Sequence, residues 1–176
     1  MHRKATDSAK GVAATPTRLQ VRTYGPADFV TLHALDQQCF APGIAYEREE
    51  LRYFLEAPNA TTLVAEAELK EIVGFITMQL YRGRPSYQAR IITIDVSPAL
   101  RQQGIGAALM AASEDFLRSQ SVNRVRLEVS VENTAAQQFY RRFGYSVVGT
   151  IPRYYLGTID ALSMQKELSR GAAPGY

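Results

Sequence analysis

Hydrophobic and polar positions in the first half of the chain recur with a period of two in some segments and of about 3.6 in others. Alternation at residues 18–24 predicts an opening strand. Pro26 starts a helical pattern, and after a proline-glycine break a second short helix ends before Pro58. Strands are predicted next at residues 61–66 and 71–81. The apolar positions of the two helices are Phe29, Leu32, Leu35, Phe40, Leu51, Phe54 and Leu55.

The second half begins with its most apolar segment, residues 91–96. This segment is nearly continuous in β-forming side chains, as expected for a strand buried on both faces. A helix with an apolar stripe follows at residues 105–116, and a further strand is predicted at residues 125–131. Asn133 is a good N-cap for another helix, which Gly144 would end.

The last segment predicts a hairpin whose strands are residues 145–149 and 154–168. The complete order, β-α-α-β-β-β-α-β-α-β-β, implies an α/β fold with a mixed sheet and helices on both faces. We expect a single domain at residues 18–168, preceded by a disordered tail at 1–17 and followed by a flexible tail at 169–176.

Composition excludes several classes of protein. The 176 residues are 46% apolar and 21% charged, which is typical of one soluble globular domain. A net charge of +3 suits an anionic ligand, but the arginines are too scattered for a nucleic-acid-binding face. One cysteine, Cys39, and two distant histidines, His2 and His33, argue against a disulfide framework or a metal site. No segment has the pattern of a signal peptide or the length of a membrane span, so we expect a cytoplasmic protein without membrane partners.

A glycine pair separates the most apolar strand from the helix that follows it, in the sequence Arg101-Gln-Gln-Gly104-Ile-Gly106. A helix start leaves about four backbone N–H groups unpaired and carries a partial positive charge. Glycines there let the backbone approach a phosphate closely, and Arg101 adds a formal charge. The alternative is a turn that needs glycine only for its geometry. Neither a dinucleotide-binding GxGxxG nor a P-loop is present.

In this context Arg-x-x-Gly-x-Gly resembles the acyl-coenzyme A loop of the GNAT acetyltransferase superfamily. That superfamily also carries an Asn, a Tyr and a Phe-Gly-aromatic step, matched here in the same order by Asn133, Tyr140 and Phe143-Gly144-Tyr145. The resemblance runs over residues 90–168, near half the chain. It implies a mostly antiparallel sheet with a splayed central strand pair.

The resemblance also implies acetyl-CoA as the cosubstrate, with no metal. Its pyrophosphate would lie on the backbone amides of residues 102–107, and its pantetheine arm would pair with the strand at residues 94–96. The residues implied to bind it are Ile94, Asp95, Val96, Arg101, Gln102, Gln103, Gly104, Ile105, Gly106, Ala107, Asn133 and Tyr140.

Acetyl transfer to an amine needs a base for the ammonium proton and an acid for the departing thiolate. Glu128 stands in the middle of a probable central strand, where a carboxylate is costly to bury unless it is paired or faces a wet cleft. It could instead be a structural partner of Arg126 or of a neighbouring strand, and Tyr140 could be a core residue. Resemblance to RimI-like enzymes favours Glu128 as base and Tyr140 as acid. Arg90 stands where other members carry a catalytic residue, and Asp95 is a reserve candidate for the base.

Two aromatic segments bear on the acceptor amine. They resemble the segments with which protein N-terminal acetyltransferases clamp a peptide, and aromatic rings with hydroxyls suit that task. The implied acceptor-binding residues are Phe40, Pro42, Ile44, Tyr46, Tyr154 and Tyr155. The same aromatics could simply pack against the sheet. The predicted partner is therefore a protein N-terminus or a small amine, bound by a monomer or homodimer. A catalytically idle acyl-CoA-binding module is the third hypothesis.

Overall fold

In the described residues, seven strands form one sheet in the order β1-β2-β3-β4-β5-β7-β6. The computed structural model describes residues 19–83 and 87–168, so both predicted tails lie outside the described residues. The strands are β1 Gln20–Thr23, β2 Ala60–Glu66, β3 Ile72–Arg82, β4 Tyr87–Val96, β5 Val122–Ser130, β6 Ser146–Tyr155 and β7 Ile159–Glu167. The helices are α1 Phe29–Cys39, α2 Arg48–Glu56, α3 Ile105–Ser119 and α4 Thr134–Arg142. The predicted order of elements is confirmed.

Helices cover both faces of the sheet, as the alternation of apolar residues predicts. On one face, Leu32 of α1 and Leu51 of α2 pack against Val64 and Phe75 of β2 and β3. On the other face, α3 and α4 join the larger core, to which Val125, Leu127 and Val129 of β5 contribute. Because side chains alternate across a strand, this arrangement turns Glu128 towards the face of α1 and α2.

The two central strands separate part-way along their length. Strands β4 and β5 are paired in parallel only from Tyr87↔Val122 to Arg90↔Arg126, although β4 continues to Val96 and β5 to Ser130. An irregularity opposite Thr77 and Met78 of β3 leaves Ile92 of β4 without a partner in the register. A bulge of this kind bends a strand and increases its twist. The splayed central pair is confirmed.

Several predicted strands have wrong boundaries. Strand β5 is Val122–Ser130 rather than residues 125–131. Strand β4 begins at Tyr87 rather than at residue 91, because Gln88 and Arg90 interrupt its apolar pattern. The prediction that residues 91–96 are buried on both faces is also wrong, since only alternate residues of β4 are fully buried along its whole length. The hairpin strands are not residues 145–149 and 154–168, since β6 continues through Pro152 to Tyr155 and the turn follows it. Proline is tolerated there because β6 is an edge strand, and its pairing with β7 is irregular between Ile151 and Tyr155.

No helix among residues 19–83 and 87–168 is both long enough and apolar enough to cross a membrane.

Candidate active site

The start of α3 supplies a row of backbone donors at the end of β4. Gly104 is the N-cap of this helix with φ +85°, and Gln102 is also left-handed with φ +64°. The first helical hydrogen bond runs from the Ala108 amide to the Gly104 carbonyl, at 2.9 Å. In the described part of the chain, the amides of residues 102–107 donate to no protein acceptor. Such a row at the positive end of a helix dipole is suited to an anion.

The glycines of this loop have different roles. A Cβ built on Gly104 would meet nothing within 4 Å, so the space beside its backbone is open. A Cβ on Gly106 would touch the Phe139 ring at 3.5 Å, which places this glycine at the contact between α3 and α4. Arg101 turns its Nε towards the Val96 carbonyl, at 3.4 Å. The predicted anion-binding residues 101–107 therefore lie together beside the end of β4.

Beyond Arg90 and Arg126 the strands β4 and β5 are no longer paired, which leaves an opening between them. Two backbone carbonyls of β4 beside this opening already accept hydrogen bonds from the protein. The Val96 carbonyl accepts from the Cys39 thiol at 3.3 Å as well as from Arg101. The Ile92 carbonyl accepts a long hydrogen bond of 3.5 Å from the Tyr46 hydroxyl. Ile94 and Asp95 lie between them on the stretch that has left β5. Asn133 caps α4 by accepting from the Ala136 amide at 3.0 Å, which confirms its predicted N-cap role.

Glu128 lies across the opening and is held by Arg90. The Nε of Arg90 donates to Oε2 of Glu128 at 2.7 Å, and its Nη2 donates to the Tyr154 hydroxyl, also at 2.7 Å. Arg126, which the sequence suggested as a partner, instead donates to Gln165 at 2.9 Å. Oε1 of Glu128 has no protein partner among the described residues and is not enclosed. The carboxylate is therefore anchored on one side and open on the other.

Tyr140 lies on α4 with only 7% of its surface exposed. Its ring contacts those of Phe139 and Tyr145, as a core residue would. Its hydroxyl has no hydrogen-bond partner in the described part of the chain. Burial, followed by the nearby Tyr155 and Asp95, raises the pKa of this hydroxyl above the usual tyrosine range. Tyr140 is therefore protonated at neutral pH and able to donate.

The three tyrosines predicted to bind the acceptor, Tyr46, Tyr154 and Tyr155, come together near Arg90 and Glu128. The rings of Tyr154 and Tyr155 meet edge to face at 4.9 Å, and the Tyr155 hydroxyl donates to the Glu128 carbonyl at 3.3 Å. Burial raises the pKa of Tyr155 to about 12 and that of Tyr46 above the usual range. Tyr46 lies close enough to Tyr154 and Arg90 to be affected by their charges.

The segment between α1 and α2 also reaches the hairpin turn. A Cβ built on Gly43 would approach Cδ2 of Leu156 to 2.9 Å, so the two segments touch above the opening. Phe40 and Ile44 are half-buried and Pro42 is exposed. Tyr46, Tyr154 and Tyr155 lie near one another, and acceptor binding stays a prediction for all six residues.

These features are matched by one family model. The Acetyltransferase (GNAT) family model covers residues 29–145, which include the α3 loop, Glu128 and Tyr140. The chain belongs to the GNAT acetyltransferase family.

Relatives of this GNAT domain include enzymes with different named acceptors. It is 34% identical over 97 residues to N-alpha-acetyltransferase RimI of Mycobacterium tuberculosis, covering 54% of this chain and 60% of the relative. It is 31% identical over 96 residues to phosphinothricin N-acetyltransferase of Streptomyces coelicolor, covering 54% of this chain and 56% of the relative. The chain spans 44%, 56% and 62% of the length of three of the curated relatives it matches.

A solved structure shares the whole fold. The ribosomal-protein-S18-alanine N-acetyltransferase of Escherichia coli superposes with a TM-score of 0.77, covering 90% of this chain and 99% of that one. At 21% sequence identity this likeness shows the fold alone.

Two buried carboxyl groups of the GNAT domain lie beneath the opening, and the sequence did not reveal their link. Asp36 at the end of α1 accepts the Tyr46 amide at 2.8 Å, and Gln37 donates to the Tyr46 carbonyl at 2.8 Å. Asp95 of β4 accepts from the Thr93 hydroxyl at 2.5 Å. One oxygen of each aspartate is enclosed without a partner. Burial raises the pKa of Asp36 to about 6 and that of Asp95 to about 8, and the charge of Asp36 adds to the latter.

The position of Asp95 bears on its predicted roles. Only 1% of its surface is exposed, so its carboxyl is enclosed rather than open to an acceptor amine. This burial favours a structural role over that of reserve base. Its backbone remains on the part of β4 that has left β5, where the pantetheine arm is expected.

Proposed function

We propose that this GNAT domain transfers an acetyl group from acetyl-CoA to an amine, and that the acceptor is the N-terminal α-amino group of a protein or peptide. The observation that carries the proposal is the opening between β4 and β5. On one side of it are the α3 amides that lack a protein acceptor, and on the other is the open oxygen of Glu128.

The donor side fits acetyl-CoA by its own chemistry. The amides of residues 102–107 and the guanidinium of Arg101 would hold the pyrophosphate, and the stretch at residues 94–96, which is not paired with β5, would pair with the pantetheine arm. When bound, acetyl-CoA supplies an acetyl group activated as a thioester. Of the two glycines in this loop, Gly104 is the one that leaves open space in which an anion can approach the backbone closely.

The residues of the opening supply the proton transfers. Glu128 would accept the ammonium proton at Oε1, directly or through water, which leaves the amine neutral and nucleophilic. Tyr140 keeps its proton at neutral pH and would donate it to the departing thiolate. The rings of Phe139 and Tyr145, which contact Tyr140, would limit the access of water to this end of the opening.

The tyrosines support a peptide as the acceptor. Tyr46, Tyr154 and Tyr155 line the side of the opening next to Glu128, where their rings and hydroxyls can grip a short backbone. Arg90 neutralises Glu128, so the described site lacks the uncompensated acidic cluster that a polyamine would favour. The named acceptor class of the RimI relative agrees with this assignment.

A small amine is the second candidate acceptor. The segment that carries Gly43 lies against Leu156 of the hairpin turn, and an acceptor side bounded by two segments in contact would suit a compact acceptor better than a long chain. The phosphinothricin N-acetyltransferase relative represents that class. Free amino acids, drugs and polyamines are therefore the competing substrates.

Peptide length separates the two candidates. Peptides of one to four residues and a panel of free amines would be compared by release of free thiol from acetyl-CoA, with an N-terminally blocked peptide as control. We expect kcat/KM to rise with length, because a clamp gains contacts beyond the first residue. A flat profile, with free amines reacting equally well, would replace the peptide by a small amine. Binding of CoA without turnover of any amine would indicate the idle module.

A further inference from the structure

Arg90 stands at the point where the two central strands part. It is the last residue of β4 that pairs with β5, and its partner in the register is Arg126. The two arginines are paired across the strands, but their surroundings differ. Arg126 is exposed and reaches Gln165 of β7, whereas Arg90 reaches across the opening to Glu128 and Tyr154. One arginine of this pair therefore lies at the surface, whereas the other contacts two residues of the proposed site.

The planar guanidinium of Arg90 joins two functional side chains from different strands. Its Nε and Nη2 donate to Glu128 of β5 and Tyr154 of β6, at 2.7 Å in each case. The Arg90 side chain keeps 36% of its surface accessible and that of Glu128 keeps 15%. The pair is therefore part-buried, and it offsets the cost of partly burying the Glu128 carboxylate. A fixed fork of donors also imposes a direction on both of its partners.

That direction suits the chemistry proposed above. With Oε2 occupied by Arg90, Oε1 is the oxygen of Glu128 left to meet an amine or a water molecule. The Tyr154 oxygen accepts from Arg90, so the hydroxyl proton of Tyr154 remains to donate to an acceptor carbonyl. One side chain thereby orients both the base and one member of the tyrosine clamp.

We propose that Arg90 is a positioning residue of the transfer reaction, which holds Glu128 and Tyr154 in register with each other across the opening. This inference rests on the proposed function. It assigns a role to the position at which other members of the superfamily place a catalytic side chain, although Arg90 itself touches neither the thioester nor the amine.

The test compares Arg90→Met with Arg126→Met, which removes the other arginine of the pair, outside the site. Steady-state kinetics would be measured with the best acceptor and with acetyl-CoA. We expect Arg90→Met to lower kcat by about tenfold or more, because small misplacements of reacting groups are costly, and to raise the acceptor KM. The KM for acetyl-CoA should stay unchanged. Arg126→Met should remain within about twofold of the wild type.

A double-variant cycle shows whether Arg90 acts through Glu128. Glu128→Gln alone should lower kcat by about 100-fold, the usual scale for loss of a general base. Adding Arg90→Met to Glu128→Gln should then change kcat by less than about twofold, because residues that act as a unit are not additive. Arg90→Lys should recover part of the rate, since it restores the charge but not the planar fork.

The outcomes are distinguishable. Equal rates for Arg90→Met and Arg126→Met, or full additivity in the cycle, would overturn the positioning role while leaving acetyl transfer intact. A wild type that acetylates no amine would overturn the proposed function and the positioning role with it. Melting temperature and the CoA-induced shift serve as folding controls. If Arg90→Met does not fold, Arg90→Lys decides: a wild-type kcat would refute the inference, and a reduced kcat with an unchanged acetyl-CoA KM supports it.

Discussion

The donor side and the acceptor side of the opening are built in different ways. The donor side comes from one short stretch, residues 94–107, and its binding groups are mainly backbone amides at a helix start. The proposed acceptor side comes from four separate segments, and the groups that it presents are side chains: Tyr46, Arg90, Glu128, and the pair Tyr154 and Tyr155. The donor side can therefore be recognised as a motif, whereas the acceptor side exists only after folding.

The two sides also differ in how they tolerate change. Backbone amides cannot be removed by substitution, so the donor side is vulnerable mainly where a side chain would enter open space, as at Gly104. On the acceptor side each hydrogen bond belongs to a side chain and can be deleted singly. Consequently, substitutions should separate acetyl-CoA binding from acceptor binding. The first and third of the following predictions test that separation, and the second concerns the buried carboxyls between the two sides.

The largest expected effect is on the donor side. Gly104→Asp places a negative charge beside the amides of residues 102–107, where the pyrophosphate is expected. The rise in melting temperature produced by millimolar CoA, which mass action requires of any ligand of the native state, should disappear. Gly104→Asn is the matched control, since it adds a side chain of the same size at φ +85° without the charge. If both variants keep the full CoA-induced shift, the pyrophosphate does not lie at this loop.

The second prediction concerns the junction between the two sides, where Asp36 and Asp95 are buried. The pKa of Asp36, about 6, and that of Asp95, about 8, lie above the ordinary value for an aspartate. At a pH between the ordinary value and these raised values, the unfolded chain therefore holds fewer protons than the folded one. The free energy of unfolding should therefore fall as pH rises from about 5 to above 8. Asp95→Asn can still accept from Thr93 but cannot titrate, so its stability should fall less as pH rises. Since about 1 kcal/mol corresponds to about 2–4 °C for a chain of this size, the decrease in melting temperature between low and high pH should be several degrees smaller than in the wild type.

Asp115→Asn provides the comparison for this pH dependence, because the side chain of Asp115 is 79% accessible. Calorimetric melting curves at pH 5, 7 and 8.5 would be collected for both variants and the wild type. Equal pH slopes in all three proteins would contradict the prediction.

The smallest expected effect is on the acceptor side. Tyr155→Phe removes the hydroxyl that donates to the Glu128 carbonyl, and Tyr154→Phe removes the one held by Arg90. A single hydrogen bond contributes about 0.5–1.5 kcal/mol, so the acceptor KM should rise by about two- to tenfold in each variant. The KM for acetyl-CoA should not change. A parallel rise in both constants would mean that the two sides cannot be separated in this way.

Prediction from sequence succeeded where the decisive pattern is local. The apolar periodicities predicted the order of all eleven strands and helices, and the N-cap role of Asn133 is confirmed. Prediction failed where neighbours in space decide. The first hairpin strand is predicted to end at residue 149, yet the position of β6 at the edge of the sheet lets this strand continue through Pro152 to Tyr155.

The sequence by itself determined the donor loop, because the N–H groups of residues 102–107 need only a strand, a turn with glycine and a helix start. Tertiary structure alone decided which group holds Glu128. Arg90 lies 38 positions away along the chain, and Arg126, nearer in sequence, turns to Gln165 instead. The link between the buried carboxyls of Asp36 and Asp95 depends likewise on α1 lying across β4. Both arise from long-range packing, which brings charged groups together regardless of their separation in sequence.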